Sequence, residues 1–132
     1  PWLPVSGRGL DIWPSDNIEM LRKLAKDPNM MKSVRVDMIA GIADLMDQAR
    51  SRAGDLTVPS LVISGKQDQV IPPGSVDAFI RERPAEAPAT MCLYPRGDHM
   101  VLRDRDAATV RRDVANWIIG KNKEISTACH AR

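Results

Sequence analysis

Val58-Pro-Ser-Leu-Val-Ile-Ser64, ended by Gly65, and Ala89-Thr-Met-Cys-Leu-Tyr94, closed by Pro95, are two short apolar runs. Runs of that kind read as strands covered on both faces of a sheet. Pro59 is expected at the start of the first, where its missing N–H costs no ladder bond. Between the runs, Ser75 offers a cap for a helix carrying Val76, Phe79 and Ile80 and ending before Pro84. A strand, a crossover helix and a second strand over 58–94 make a βαβ unit, whose strands run parallel and whose crossover is right-handed. The fold class read from this stretch is α/β.

Parallel strands end on the same edge of a sheet, and open α/β sheets place ligands and catalytic groups at the carboxyl edge. Two loops leave that edge: Gly65-Lys-Gln-Asp68-Gln-Val-Ile-Pro72 and Pro95-Arg-Gly-Asp98-His99-Met-Val-Leu-Arg-Asp104. Neighbouring strands lie about 5 Å apart, so short loops bring Asp68 within hydrogen-bond reach of His99. A carboxylate on one imidazole nitrogen fixes the tautomer and stabilises the imidazolium formed when the other nitrogen takes a proton from a nucleophile. Asp68 and His99 are therefore the candidate catalytic acid and base. Taken singly, His99 is an ordinary surface histidine and Asp68 an ordinary turn residue; the pairing at one sheet edge is what points to chemistry. Asp98 adjoins His99 in sequence, but adjacent side chains diverge, which leaves it a local turn former. Asp104 reads first as a helix cap.

Outward from this unit, residues 1–14 hold Pro1, Pro4, Gly7, Gly9 and Pro14 and read as an irregular lead-in. Ser6-Gly-Arg-Gly9 lacks the spacing of a phosphate loop and reads as a plain turn. Asp16, with Glu19 three residues on, marks a capping box for a helix with Ile18, Leu21, Leu24 and Ala25 on one face, stopping near Asp27-Pro28. A longer helix from about Ser33 to Arg52 carries Val34, Met38, Ile42, Leu45, Met46 and Ala49 as a stripe, with Gly54 as its stop. Methionines 20, 30, 31, 38 and 46 fit core filling or an adaptable greasy pocket. After the second strand, a helix opening at Asp104 or Asp106 aligns Val110, Val114, Trp117 and Ile118 and stops at Gly120. Residues 121–132 read as a frayed tail, with nothing there to hold Cys129 and His130 as a reactive pair.

With 132 residues the chain accommodates a single core. Hydrophobic residues make up 43% and charged residues 27%, and no apolar run approaches the roughly 20 residues of a membrane span. The net charge of +2 comes from interspersed signs and aromatics are 4%, so neither the basic stripe nor the stacking platforms of a nucleic-acid binder are present. Two histidines are too few to point to zinc. Cys92 in an apolar run and Cys129 in a polar tail suit free thiols in a reducing compartment, with the cytoplasm as the expected location.

These residues resemble the α/β-hydrolases, and within them the bacterial lysophospholipase or monoacylglycerol-lipase-like group. The resemblance rests on Ser15-Asp-Asn-Ile-Glu19, Asp27-Pro28, Arg35-Val-Asp37 and Asp44-Leu-Met-Asp47, on Val58-Pro-Ser-Leu-Val-Ile-Ser-Gly65, and on Gly97-Asp-His-Met-Val-Leu-Arg-Asp104. It implies the C-terminal part of an α/β-hydrolase fold: a helical lid over 1–56, a βαβα part of the core over 57–120 and the tail over 121–132. It further implies that Asp68 is the acid and His99 the base of a Ser-Asp-His triad, with no cofactor. The substrate it implies is a small acyl ester or lysolipid. The group's serine sits in a Gly-x-Ser-x-Gly elbow, and the triad runs in the chain order Ser, Asp, His. None of Ser6, Ser15, Ser33, Ser51, Ser60, Ser64, Ser75 or Ser126 occupies such a motif. The nucleophile, the oxyanion hole and most of the sheet are accordingly expected in a missing N-terminal half, before residue 1. Two other readings stand beside this one. A fragment with an uncovered sheet edge could act as a self-association module, forming homo-oligomers. The same acid and base could also serve an upstream aspartate, as in dehalogenases and epoxide hydrolases.

Overall fold

A computed structural model describes residues 4–5 and 10–131. The central unit is β3 (Ser60–Gly65), α3 (Pro73–Glu82) and β4 (Ala89–Tyr94), preceded by β1 (Pro4–Val5), α1 (Ile18–Lys26), β2 (Val34–Arg35) and α2 (Val36–Ser51). It is followed by α4 (Ala107–Ile118) and β5 (Cys129–Ala131). β3 and β4 pair in parallel, from Ser60 opposite Ala89 to Gly65 opposite Tyr94, as the βαβ reading expects. β3 starts two residues later than its apolar run, leaving Val58 and Pro59 outside the ladder and exposed. Arg83, itself buried, holds that lead-in by donating to the Val58 carbonyl and the Ser60 hydroxyl, both at 3.2 Å.

Helices cover both faces of the strands. Cys92, Tyr94, Val101 and Val110 form the core on the α4 side, with Leu61 and Ile63 of β3 packed against them. On the other face, Val62 shares a hollow of about 300 Å³ with Met46 and Ala49 of α2 and with Ile71, Val76 and Phe79. Arg50 of α2 grips Glu82 of α3 through its Nε at 2.9 Å and its terminal nitrogen at 2.6 Å. Met46, though partly exposed, lines this hollow; Met30, Met31 and Met38 are exposed.

Several local expectations shift. Helix α3 begins at Pro73, with Pro72 as its cap, because a proline φ is already helical and its missing N–H is one a first turn would leave unpaired. Ser75 lies inside that turn. Helix α1 is capped by Asn17, whose side chain accepts from the Met20 amide at 3.1 Å, while the Asp16 carboxylate is taken by the Arg105 amide at 2.8 Å. The lead-in is not wholly irregular, since Pro4–Val5 pairs antiparallel with Val34–Arg35. The Ser6–Gly9 turn falls outside the described residues. The long helix begins at Val36 and ends at Ser51, and the Ala53–Asp55 turn follows. Most of its stripe is exposed, Met38, Ile42, Leu45 and Met46 among it, while Met46 and Ala49 also border the hollow beside Val62. α4 ends as expected at Gly120, which adopts φ +76° and closes a Schellman turn, Lys121 donating to the Asn116 carbonyl at 2.8 Å. Ile118, placed on the buried stripe, is 69% exposed.

The tail is the largest correction. Residues 121–131 are not frayed: a turn at Asn122–Glu124 leads into β5, which pairs antiparallel with β4, His130 lying opposite Met91. Asp113, buried on α4, accepts from the Ser126 amide at 3.1 Å, the Ser126 hydroxyl at 2.5 Å and the Tyr94 hydroxyl at 3.1 Å. Burial, with the bond to Asp113, raises the Tyr94 pKa. Cys92 and Cys129 are joined by a disulfide. They are not free thiols, and the inference from cysteine usage to a reducing compartment falls with them. No helix of the described residues is long and apolar enough to cross a membrane.

The disulfide closes a loop with a sequence separation of 37 residues. A cross-link over such a loop removes unfolded-state entropy worth about 3 to 4 kcal/mol. The Cys129→Ser variant, or the chain under reductant, should show a lower urea midpoint with a loss of that order. A midpoint unchanged by reductant would refute the linkage.

Candidate active site

The two loops meet because two glycines let their backbones touch. A Cβ on Gly65 would collide with the carbonyl oxygens of Gly97 and Asp98, and a Cβ on Gly97 would lie 3.0 Å from the Gly65 Cα. Only glycine permits this approach. Main-chain bonds then lace the loops together: the Lys66 amide donates to the Tyr94 carbonyl at 2.9 Å and the Gln67 amide to the Gly97 carbonyl at 2.9 Å.

Within this frame the Asp68 carboxylate divides its oxygens. Oδ1 accepts from the amides of Val70 at 2.7 Å and Ile71 at 2.9 Å, and so holds its own turn. Oδ2 lies 3.0 Å from His99 Nδ1. The Asp68 side chain is 10% exposed and that of His99 is 39% exposed, so the acid is sheltered and the imidazole reaches solvent. Burial pushes the Asp68 carboxyl up, but the Ile71 amide, His99 and the Val70 amide outweigh it and hold the group below the usual carboxylate range. Its contribution to stability is present above that range and lost as pH falls through the lowered value. With Nδ1 committed to Asp68, Nε2 on the other side of the ring is the nitrogen left to handle a proton.

Asp98 is not the partner of His99, and neither it nor Asp104 is a simple turn or cap residue. Both are buried. Asp104 Oδ2 accepts from the Asp98 amide at 2.8 Å, and Oδ1 accepts from the Ser15 hydroxyl at 2.5 Å. Asp106 stands at the head of α4 instead, its side chain in an ion pair with Arg96. The Asp98 carboxyl is raised by burial, then by the carboxylates of Asp104 and Asp16, with the Asp16 amide pulling the other way. The carboxylates of Asp16, Asp98 and Asp104 lie within 4.8 Å of one another, and hydrogen bonds to neutral donors account for how they are held. No local signal in the sequence ties Ser15 to Asp104 across 89 positions. The segment ahead of α1 reaches both loops: the Trp13 amide donates to Gln69 Oε1 at 3.0 Å and the Met100 amide to the Pro14 carbonyl at 2.8 Å.

An acid and an oriented imidazole at the carboxyl edge of parallel strands, with helices on both faces, define part of an α/β-hydrolase fold. A family model, Hydrolase_4, described as serine aminopeptidase S33, matches residues 1–106, and the chain belongs to that family. It is similar to a monoacylglycerol lipase of Mycolicibacterium smegmatis, with 27% identity over 117 residues, covering 80% of this chain and 41% of that protein. The crystal structure of the Paleococcus ferrophilus monoacylglycerol lipase superimposes with a TM-score of 0.78 at 21% identity, over 91% of this chain and 47% of that one. The chain thus spans less than half the length of these relatives.

Gly65→Ala should push the two loops apart, costing roughly 1 to 3 kcal/mol as overpacking does, and should break the Asp68–His99 bond. Urea unfolding together with the His99 imidazole proton spectrum checks both, and an intact imidazole proton in a fully stable variant would contradict the backbone-contact account. Asp98→Asn acts in the opposite sense. A carboxyl whose folded pKa is raised weakens the fold once ionised, so the variant should be more stable than the parent at neutral pH. That gain should shrink to nothing as pH falls below about 4, where an unfolded carboxyl also protonates. Unfolding midpoints across that range measure the difference.

Proposed function

We propose that this chain is the acid- and base-bearing part of a serine ester hydrolase acting on monoacylglycerols, lysophospholipids or related small acyl esters. The observation that carries the reading is the 3.0 Å contact of Asp68 Oδ2 with His99 Nδ1 at the carboxyl edge of β3 and β4. The monoacylglycerol lipases among its relatives support the substrate class. In this reading Asp68 holds the Nδ1–H tautomer, and His99 Nε2 takes the proton of a serine hydroxyl as that oxygen attacks the ester carbonyl. The imidazolium formed is stabilised by Asp68 and returns its proton to the leaving alcohol. The serine and the oxyanion donors come from residues outside this sequence. Residues 1–56 serve as the lid, α2 meeting α3 through the exposed Arg50–Glu82 pair, and 57–120 as the C-terminal part of the core.

The exposed apolar residues of α2 and the edge of β3 left unpaired among the described residues are the surfaces that the rest of the sheet would cover. They also favour a second reading, in which the isolated chain associates with its own copies.

A fluorophosphonate probe should leave the isolated chain unlabelled and should label a single serine once the nucleophile-bearing segment is supplied. In that assembled enzyme, His99→Ala and Asp68→Asn should each lower kcat on a short-chain monoacylglycerol by about 10³- to 10⁴-fold. Robust labelling of the isolated chain, or an Asp68→Asn enzyme of near-parental rate, would overturn the proposal. Sedimentation of the isolated chain tests the second reading, which a monomer at high concentration would end.

A further inference from the structure

The segment ahead of α1 is fastened to the loop that carries His99, and the fastening centres on one buried carboxylate. Asp104 Oδ1 accepts from the Ser15 hydroxyl at 2.5 Å, and Ser15 is completely buried. Asp104 Oδ2 accepts from the Asp98 amide at 2.8 Å. Around this pair, Asn17 Nδ2 donates to the Arg103 carbonyl at 3.0 Å, the Arg105 amide to Asp16 Oδ1 at 2.8 Å and the Met100 amide to the Pro14 carbonyl at 2.8 Å.

A carboxylate this deeply buried is costly unless its oxygens are satisfied. Asp104 meets that requirement with neutral donors, one from each of two segments far apart in sequence. The amide it holds belongs to the residue before His99, so Asp104 fixes the Gly97–Asp98 peptide plane, one residue ahead of the Cα that bears the His99 side chain. An asparagine of the same shape offers one acceptor where two are used, and a helix cap would need neither of these contacts.

We propose that Asp104 is a positioning residue for His99: by joining Ser15 to the Asp98 amide, it makes the docking of the Pro14–Asn17 segment a condition for the Asp68–His99 bond. The inference rests on the acid–base reading of Asp68 and His99 given above and adds to it a coupling between the segment leading into α1 and the base. When the segment is seated, the loop is held on both sides and the imidazole stays on Asp68. When it lifts, Asp104 loses its Ser15 donor, the His99 loop relaxes and Nδ1 exchanges its partner for water.

The test is proton NMR on the 132-residue chain, reading the downfield Nδ1 proton of His99, assigned by its loss in Asp68→Asn. Asp104→Asn should exchange this proton with water about tenfold faster, the scale of one lost bond to a charged acceptor, while the amide fingerprints of β3, β4 and α4 stay in place. Ser15→Ala should act in the same direction and more weakly. If Asp104→Asn does not fold, Ser15→Ala and Asn17→Ala, which leave the carboxylate intact, carry the same readout. Exchange unchanged in the folded variants would overturn the positioning role and leave the Asp68–His99 pair standing. Absence of the proton from the parent chain would overturn the acid–base reading itself, and this inference with it.

Discussion

The parallel, in-register pairing of β3 with β4, which sets Gly65 opposite Tyr94, is the constraint from which the site follows. It ends both strands at the same level, so that the loops carrying Asp68 and His99 leave side by side. Their backbones can then come into contact because neither Gly65 nor Gly97 bears a Cβ. The glycines of the two loop motifs therefore have a steric role distinct from the chemistry of the residues that follow them.

Charge around the site is arranged by neutral donors more than by ion pairs. Asp68 gives one oxygen to two amides and the other to His99, and this division keeps it ionised although it is sheltered. Asp104 is held by a hydroxyl and an amide. Asp98, buried and crowded by Asp104 and Asp16, is the carboxyl whose ionisation is opposed. Three neighbouring carboxyls thus serve three different ends, set by which donors each one faces. By contrast, the Arg50–Glu82 pair lies exposed, where such pairs contribute little to stability.

The two borders of the small sheet are treated differently. β5 closes the outer border of β4, secured by the Cys92–Cys129 disulfide and by the buried Asp113 carboxylate under Ser126. Among the described residues no strand pairs with the other edge of β3, and Met38, Ile42 and Leu45 of α2 are exposed. Burial of such surface is the main favourable term in folding and association. The asymmetry therefore marks the β3 side as the one where further structure would gain most.

Much of the scaffold was legible in the residues. The second strand, Ala89–Tyr94, and the stop at Gly120 follow from local signals that nothing distant overrides, and the βαβ handedness brings Asp68 and His99 to one edge. Other features were illegible for a common reason. The Ser15–Asp104 bond, the displacement of Asp16 from its cap by the Arg105 amide, and the Cys92–Cys129 bridge each join residues whose sequence neighbours carry no trace of the partner. The tail read as frayed because its anchors, Asp113 and Cys92, lie on other elements. By itself the sequence determined the period of each element, the parallel order of the strands and the placing of Asp68 and His99 as candidates at one sheet edge, since these depend on side-chain type and spacing along the chain. Only the tertiary structure decided which carboxylate faces the imidazole, which ones are buried and how the tail is held, because those outcomes depend on which donors and apolar faces three-dimensional packing brings within a few ångströms.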